Sequence, residues 1–325
     1  MTDPARQILH VGLAKTGTTS LQRHVFPQIS SLAGYEYNPP QLVECLTNYL
    51  LLHDPEDRRK FEQLRAQHPR IFVSDESLAT WLPQHFEAAA DELLSLWGPH
   101  TTILISLRDP LDFQASLYAG SFRAGAYLRP QDFFLSGEQY GRVRQREGHW
   151  LDDVFNVDAF DLRRLVEIYR QRFDRVVALP LETQFDLRAL ARVFDLSEDQ
   201  RRAIAGQLAS APRLNTRPSA WDIKAHSLYV KLTGKQMDSP GLGTKLKLHA
   251  ESAIPVPHGS RLRRWWLRLR AILYRLLPKT PYQLPADVYQ NAELTQRNRE
   301  YLAELVAAER RLAEASSHGE GSQPR

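Results

Sequence analysis

Ile8-Leu9-His10-Val11-Gly12-Leu13-Ala14-Lys15-Thr16-Gly17-Thr18-Thr19-Ser20-Leu21-Gln22-Arg23-His24-Val25-Phe26 is the stretch on which the reading of this chain turns. The apolar run Ile8–Gly12 reads as a buried strand, and Ser20–Phe26 reads as the first turns of a helix. Between them lies a tight loop carrying Gly12 and Gly17. Such a loop aims backbone N–H groups at an anion, and the following helix adds the positive end of its dipole. The stretch therefore predicts a phosphate cradle at the end of a strand.

The spacing narrows the choice. Gly12 and Gly17 stand as in the P-loop of nucleotide hydrolases, where Lys-Ser/Thr comes next. Here Thr18 and Thr19 come next, and the lysine sits inside the loop at Lys15. Ala14-Lys15-Thr16-Gly17-Thr18-Thr19-Ser20-Leu21 resembles the 5′-phosphosulfate loop of the sulfotransferases that use 3′-phosphoadenosine 5′-phosphosulfate (PAPS), which runs approximately Pro/Ala-Lys-x-Gly-Thr-Thr-x-Leu. The plainer alternative is a βα turn whose Thr and Gly merely cap a helix.

A second segment points the same way. Thr101–Leu107 is β-branched and apolar, a strand bounded by Gly98-Pro99, and it ends in Arg108-Asp109-Pro110. Asp109 suits an N-cap and Pro110 the first helical position. The helix expected next carries Leu111, Ala115, Tyr118 and Phe122 as one apolar stripe, with Ser116 off it. The resembling family binds the 3′-phosphate with an arginine at a strand end and a serine eight residues later, which implies Arg108 and Ser116. Ser121-Phe122-Arg123-Ala124-Gly125 is similar to the family's continuation. Without the resemblance, Arg108 reads as a surface ion-pair partner and Ser116 as a solvated helix position.

Arg70-Ile71-Phe72-Val73-Ser74 reads as a further strand, ending in Asp75-Glu76-Ser77; Arg58–Gln67 before it and the stretch up to Trp97 after it read as helical. Strands alternating with helices predict an α/β protein with a parallel sheet flanked by helices. The resemblance makes this the P-loop NTPase-like sulfotransferase fold. Gly12–Lys15, Asp75-Glu76 and Arg108 all fall at carboxyl ends of strands, where such sheets bind ligands. Phe160–Phe173 predicts a helix, Arg175–Glu182 a strand and Phe185–Leu196 another helix. Beyond Arg213 the similarity thins to Leu214-Asn215-Thr216, and the Arg-Lys-Gly and Gly-Asp-Trp-Lys signatures of the cytosolic small-molecule sulfotransferases are absent. The expected organisation is one domain over 1–315, with 213–315 mostly helical and a candidate cover for the acceptor site. Residues 316–325, almost without apolar side chains, are expected to be a disordered tail.

The chain has 325 residues, a formal charge of +4 and one cysteine, Cys45. A single cysteine excludes an intramolecular disulfide and a cysteine-based zinc site. The mild positive charge suits an anionic small-molecule ligand and does not by itself call for nucleic acid. No apolar run reaches the roughly 18–20 residues of a membrane span, and Met1-Thr2-Asp3-Pro4 leads straight into the first strand, so a soluble cytoplasmic protein is expected. Arg261–Leu277 sets Leu262, Trp265, Trp266, Leu269, Ile272, Leu273 and Leu276 against a row of arginines. That helix reads either as a stripe buried in its own domain or as a peripheral contact with an anionic membrane.

The resemblance implies transfer of a sulfuryl group from PAPS to a hydroxyl of a carbohydrate or glycolipid-like acceptor, releasing 3′,5′-adenosine bisphosphate. It assigns Glu76 as the base, with Asp75 its rival one residue away. Lys15 would act on the bridging oxygen, and Thr16, Gly17, Thr18, Thr19 and Ser20 would cradle the 5′-phosphate. No metal is expected, because no acidic pair or histidine cluster stands at ligand spacing near the loop. His10 and His24 read as structural. The competing functions are a P-loop small-molecule kinase, against which the position of Lys15 speaks, and a non-catalytic member that binds a nucleotide or a partner.

Overall fold

The apolar runs within 8–12, 70–74 and 101–107 give strands in the computed structural model, which describes residues 7–124, 128–143, 154–210, 223 and 280–319. β1 (Gln7–His10) leads through the glycine loop into α1 (Thr18–Ser20), a π-helical stretch (Leu21–Val25) and α2 (Phe26–Ala33). Gly34, at φ 70°, ends that helix in the left-handed conformation. β2 (Glu36–Tyr37) follows, then α3 (Pro40–Leu52) and α4 (Pro55–Gln67). Both helices open with proline at the first turn, and the Asp54 carboxylate accepts the Glu56 N–H at 2.9 Å as the cap of α4. β3 (Ile71–Ser74), α5 (Phe86–Trp97) and β4 (Thr102–Leu107) complete the first half.

The chain continues through α6 (Pro110–Ala124), α7 (Pro130–Phe133), β5 (Phe134–Leu135), α8 (Gly137–Val143) and β6 (Phe155–Asn156). α9 (Leu162–Arg170), β7 (Arg175–Pro180), α10 (Arg188–Phe194), α11 (Glu198–Ser210) and α12 (Ala292–Gly319) follow. Among the described residues, those within 1–109, 161–215 and 293–325 form one compact unit, and those within 110–160 and 216–292 form a second.

The first unit holds a five-stranded sheet in the order β2-β3-β1-β4-β7, with every pair parallel. This is the α/β architecture expected of alternating strands and helices. His10 stands opposite Ser74 on one side and Leu104 on the other. Alternation then sends Ile8, Phe72, Leu104 and Leu179 to one face, where they pack with Leu21, Val25, Phe26 and Ile29 of the first helix and with Leu190, Val193, Phe194 and Ile204 of α10 and α11. Phe26 is fully buried, with its ring 4.9 Å from that of Phe72. Truncating such a residue to alanine costs about 3–5 kcal/mol. The opposite face carries Leu9, Val73, Ile103 and Ile105, all buried, and α9 lies against β4 and β7. The chain leaves β1 for β2 and β3 on one side and reaches β4 and β7 on the other. The carboxyl ends of β3, β1 and β4 therefore meet where the strand order reverses.

The second unit is held by aromatic packing. Phe113 stacks on Phe160 at 4.9 Å, and Phe134 meets Phe155 edge-on at 5.3 Å across the parallel β5–β6 pair. Asp158 takes three donors from two segments of this unit, accepting from the Gly137 N–H at 2.7 Å, Tyr289 Oη at 2.9 Å and Asn291 Nδ2 at 2.7 Å. Those donors hold its carboxyl below the usual range against the opposing effect of burial.

Several expectations change. α3 lies in a stretch that sequence patterning did not mark as a helix. α6 is buried on more than one side: Phe113, Gln114, Ala115, Ser116, Leu117, Tyr118 and Ala119 are all buried, so this part of the helix is covered all round. α12 runs to Gly319, four residues into the segment expected to be a tail, because an alanine- and glutamate-rich sequence carries the helix on to a glycine. Leu214-Asn215-Thr216 and the segment 261–277, expected to be a helix, lie outside the described residues. No helix among the described residues is long and apolar enough to cross a membrane.

Candidate functional site

The loop after β1 is built around two glycines in the left-handed region, Gly12 at φ 64° and Gly17 at φ 81°, with Lys15 between them at φ 67°. Gly12 is needed for space as well as for its backbone angle. A Cβ there would stand 3.0 Å from the Glu76 Cα and 3.1 Å from the Glu76 Cβ. The loop thus lies directly on Glu76, two residues beyond the end of β3. Gly17 is the residue before the helix and brings no side chain to cap it, so the positive end of the helix dipole faces the loop without a cap from that residue. Thr16 is fully buried, and its hydroxyl donates to the Leu13 carbonyl at 2.6 Å, closing the loop on itself. Lys15 is exposed.

Two strand ends converge on this loop. Thr18 Oγ1 donates to Glu76 Oε2, which fixes the Glu76 carboxylate against the helix N-terminus. Arg108, at the end of β4, donates from Nη1 to the Lys15 carbonyl at 2.8 Å. That bond stabilises a lysine whose left-handed backbone costs roughly 1–2 kcal/mol. Asp109 accepts from Arg299 Nε of α12 at 2.7 Å, which anchors the residue following Arg108.

Asp75 and Glu76 are distinguished by their partners. Asp75 Oδ1 accepts from the Ser77 N–H at 2.8 Å and the Ser77 hydroxyl at 2.7 Å, so its carboxylate folds back onto its own turn. Glu76 faces the loop. The turn itself is tied to β1, with Asp75 N–H donating to the His10 carbonyl at 3.1 Å and Ala79 N–H to the Val11 carbonyl at 3.3 Å. Further along, Thr80 is buried at φ 55°, a strained backbone angle for a β-branched residue.

Beneath the loop runs a polar network that the motifs did not reveal. His10 is fully buried, with Nδ1 2.8 Å from Ser74 Oγ and Nε2 2.9 Å from Ser106 Oγ. Gln22, in the π-helical stretch, donates from Nε2 to Ser74 Oγ at 3.1 Å. Asn38 brackets the Ser74 backbone, donating to its carbonyl at 3.1 Å and accepting its N–H at 2.7 Å. Burial pushes the Tyr37 phenol up to about 12 and the His10 imidazole down to about 3. A signal was present in the sequence. Ser74 ends the apolar run of β3 and Ser106 interrupts that of β4, just before Asp75-Glu76 and Leu107-Arg108.

Lys15, Thr16, Gly17, Thr18, Thr19, Ser20, Glu76 and Arg108 thus all belong to the first unit, around one loop. Ser116 belongs to the second unit and is buried, not solvated. Among the described residues no group of three or more His, Cys, Asp or Glu side chains is arranged to hold a metal ion. No protein-family model matches the chain, and no curated protein matches it.

Proposed function

We propose that the chain is a PAPS-dependent sulfotransferase acting on a hydroxyl of a carbohydrate or glycolipid-like acceptor. The observation that carries this reading is the Thr18–Glu76 hydrogen bond, which holds a carboxylate beside the first helical residue after the glycine loop. A phosphate-binding loop alone would suit many nucleotides; a general base held beside it suits transfer from the bound phosphate to a hydroxyl. In this reading Glu76 takes the acceptor's proton while the acceptor oxygen bonds to sulfur and the bond from sulfur to the 5′-phosphate oxygen breaks. Lys15 neutralises the charge growing on that leaving oxygen, and the loop from Thr16 into the first helical turn holds the phosphate. Arg108 serves the 3′-phosphate while its second contact keeps Lys15 in place. Glu76 is preferred to Asp75 because Thr18 holds the Glu76 carboxylate against the loop, whereas the Asp75 carboxylate is turned back onto Ser77 of its own turn.

The test is incubation with [35S]PAPS and a panel of aryl glycosides and glycolipids, with Lys15→Ala as the control. Label transferred to an acceptor by the unsubstituted chain, and reduced about 10²–10³-fold in the control, supports the proposal. Label that stays on the nucleotide with every acceptor, alongside transfer of phosphate from ATP, would replace it with the kinase reading.

A further inference from the structure

His10 occupies a position that its burial alone does not account for. It is the last residue of the central strand, and its ring spans the two flanking strands, reaching Ser74 of β3 with one nitrogen and Ser106 of β4 with the other. Each serine lies two residues from a group at the mouth of the loop: Ser74 from Glu76, Ser106 from Arg108. We infer that His10 is a positioning residue, a strut across three strand ends that sets the separation of Glu76 and Arg108 and so aligns the base with the donor's phosphates. This rests on the sulfotransferase reading of the site.

Three observations support a strut over a filler. A neutral imidazole has one donor and one acceptor, and both partners are hydroxyls that can supply either, so both bonds are satisfied at once. The ring stays neutral, because full burial holds its pKa near 3, and no charge sits under an anion site. The strut is also braced from outside. Phe26 meets the imidazole edge-on at 5.0 Å, Gln22 holds the Ser74 hydroxyl, and Asn38 holds the Ser74 backbone. A phenylalanine or leucine would fill the volume but leave two buried hydroxyls without this partner.

The two arms can be cut separately. Asparagine places its amide about where Nδ1 stands, and glutamine about where Nε2 stands. His10→Gln and Ser74→Ala both release the Glu76 side, whereas His10→Asn and Ser106→Ala both release the Arg108 side. The serine variants lose only one oxygen each and serve where a histidine variant does not fold. The readouts are Kd for 3′,5′-adenosine bisphosphate by calorimetry and PAPS consumption with the aryl-glycoside panel.

Releasing the Glu76 side should lower kcat by about 10- to 100-fold, the effect of a displaced reacting group, with Kd within about 2-fold. Releasing the Arg108 side should raise Kd by about 2- to 10-fold, one hydrogen bond's worth of alignment. Ring 15N shifts should show one fixed neutral tautomer that does not titrate between pH 8 and 5, a readout independent of any nucleotide. Losses of kcat and Kd in the same proportion in all four variants would overturn the positioning role, as would a ring that titrates near 6.5. Failure of the unsubstituted chain to bind the bisphosphate, with the fixed tautomer present, would instead strike the sulfotransferase reading and take the alignment role with it.

Discussion

Replacing Arg108 by alanine should separate two nucleotides that differ only by a 3′-phosphate. The guanidinium stands at the end of β4 and donates to the Lys15 carbonyl at 2.8 Å. Its loss therefore has two parts. A charge-assisted hydrogen bond to a phosphate contributes about 1.5–3 kcal/mol, or about 10- to 150-fold in Kd, and only 3′,5′-adenosine bisphosphate can lose it. The bond to Lys15 contributes about 0.5–1.5 kcal/mol by holding a left-handed residue, and both nucleotides lose that, about 2- to 10-fold. Calorimetry with adenosine 5′-monophosphate should then show the small common loss, and the bisphosphate the small loss multiplied by the large one. Arg108→Lys keeps the charge without the fork and should fall between. Equal losses for the two nucleotides would refute the reasoning, because Arg108 would then act only through the loop.

Three other outcomes are expected. Glu76→Gln should lower PAPS consumption by about 10²–10⁴ with bisphosphate affinity intact, whereas Asp75→Asn, which weakens a local turn, should leave turnover within about 10-fold; the reverse pattern would make Asp75 the base. Gly12→Ala should destabilise the chain and depress turnover, since its Cβ would press on the Glu76 Cα at 3.0 Å from a backbone at φ 64°; an unchanged urea midpoint and rate would contradict that contact. The buried His10 should make stability fall on acidification. Its folded pKa is lowered from 6.5 to about 3, so its neutral form contributes fully above 6.5, and that contribution is lost as pH falls toward 3. The stability gap between the unsubstituted chain and His10→Asn should narrow by about 2 kcal/mol from pH 7 to pH 5 in urea titrations, and a constant gap would mean the imidazole is not buried neutral.

The sheet and the loop were legible because local rules govern them. β1, β3 and β4 are short apolar runs that lead into polar residues, and the glycines of the loop sit where the backbone must be left-handed. The register between Asp75 and Glu76 was not legible, because it depends on which carboxylate finds Thr18 and which finds Ser77. Nor was the strut. His10, Ser74 and Ser106 are separated by 64 and 96 positions from His10 to each serine, and only parallel pairing in one register brings them together. α6 misled for a related reason. Its periodicity marks one apolar side, but Gln114 and Ser116 are buried as well, and spacing alone cannot show that a polar residue is covered. α3 begins with Pro39-Pro40, which reads as a break until proline is recognised at a first helical turn.

The most direct test of the central claim is a calorimetric titration of the full chain with 3′,5′-adenosine bisphosphate and with ATP, each with and without magnesium. A loop whose lysine lies at Lys15, with Arg108 beside it, should bind the bisphosphate without magnesium and bind ATP more weakly under both conditions. Tight, magnesium-dependent binding of ATP with no heat from the bisphosphate would contradict the account.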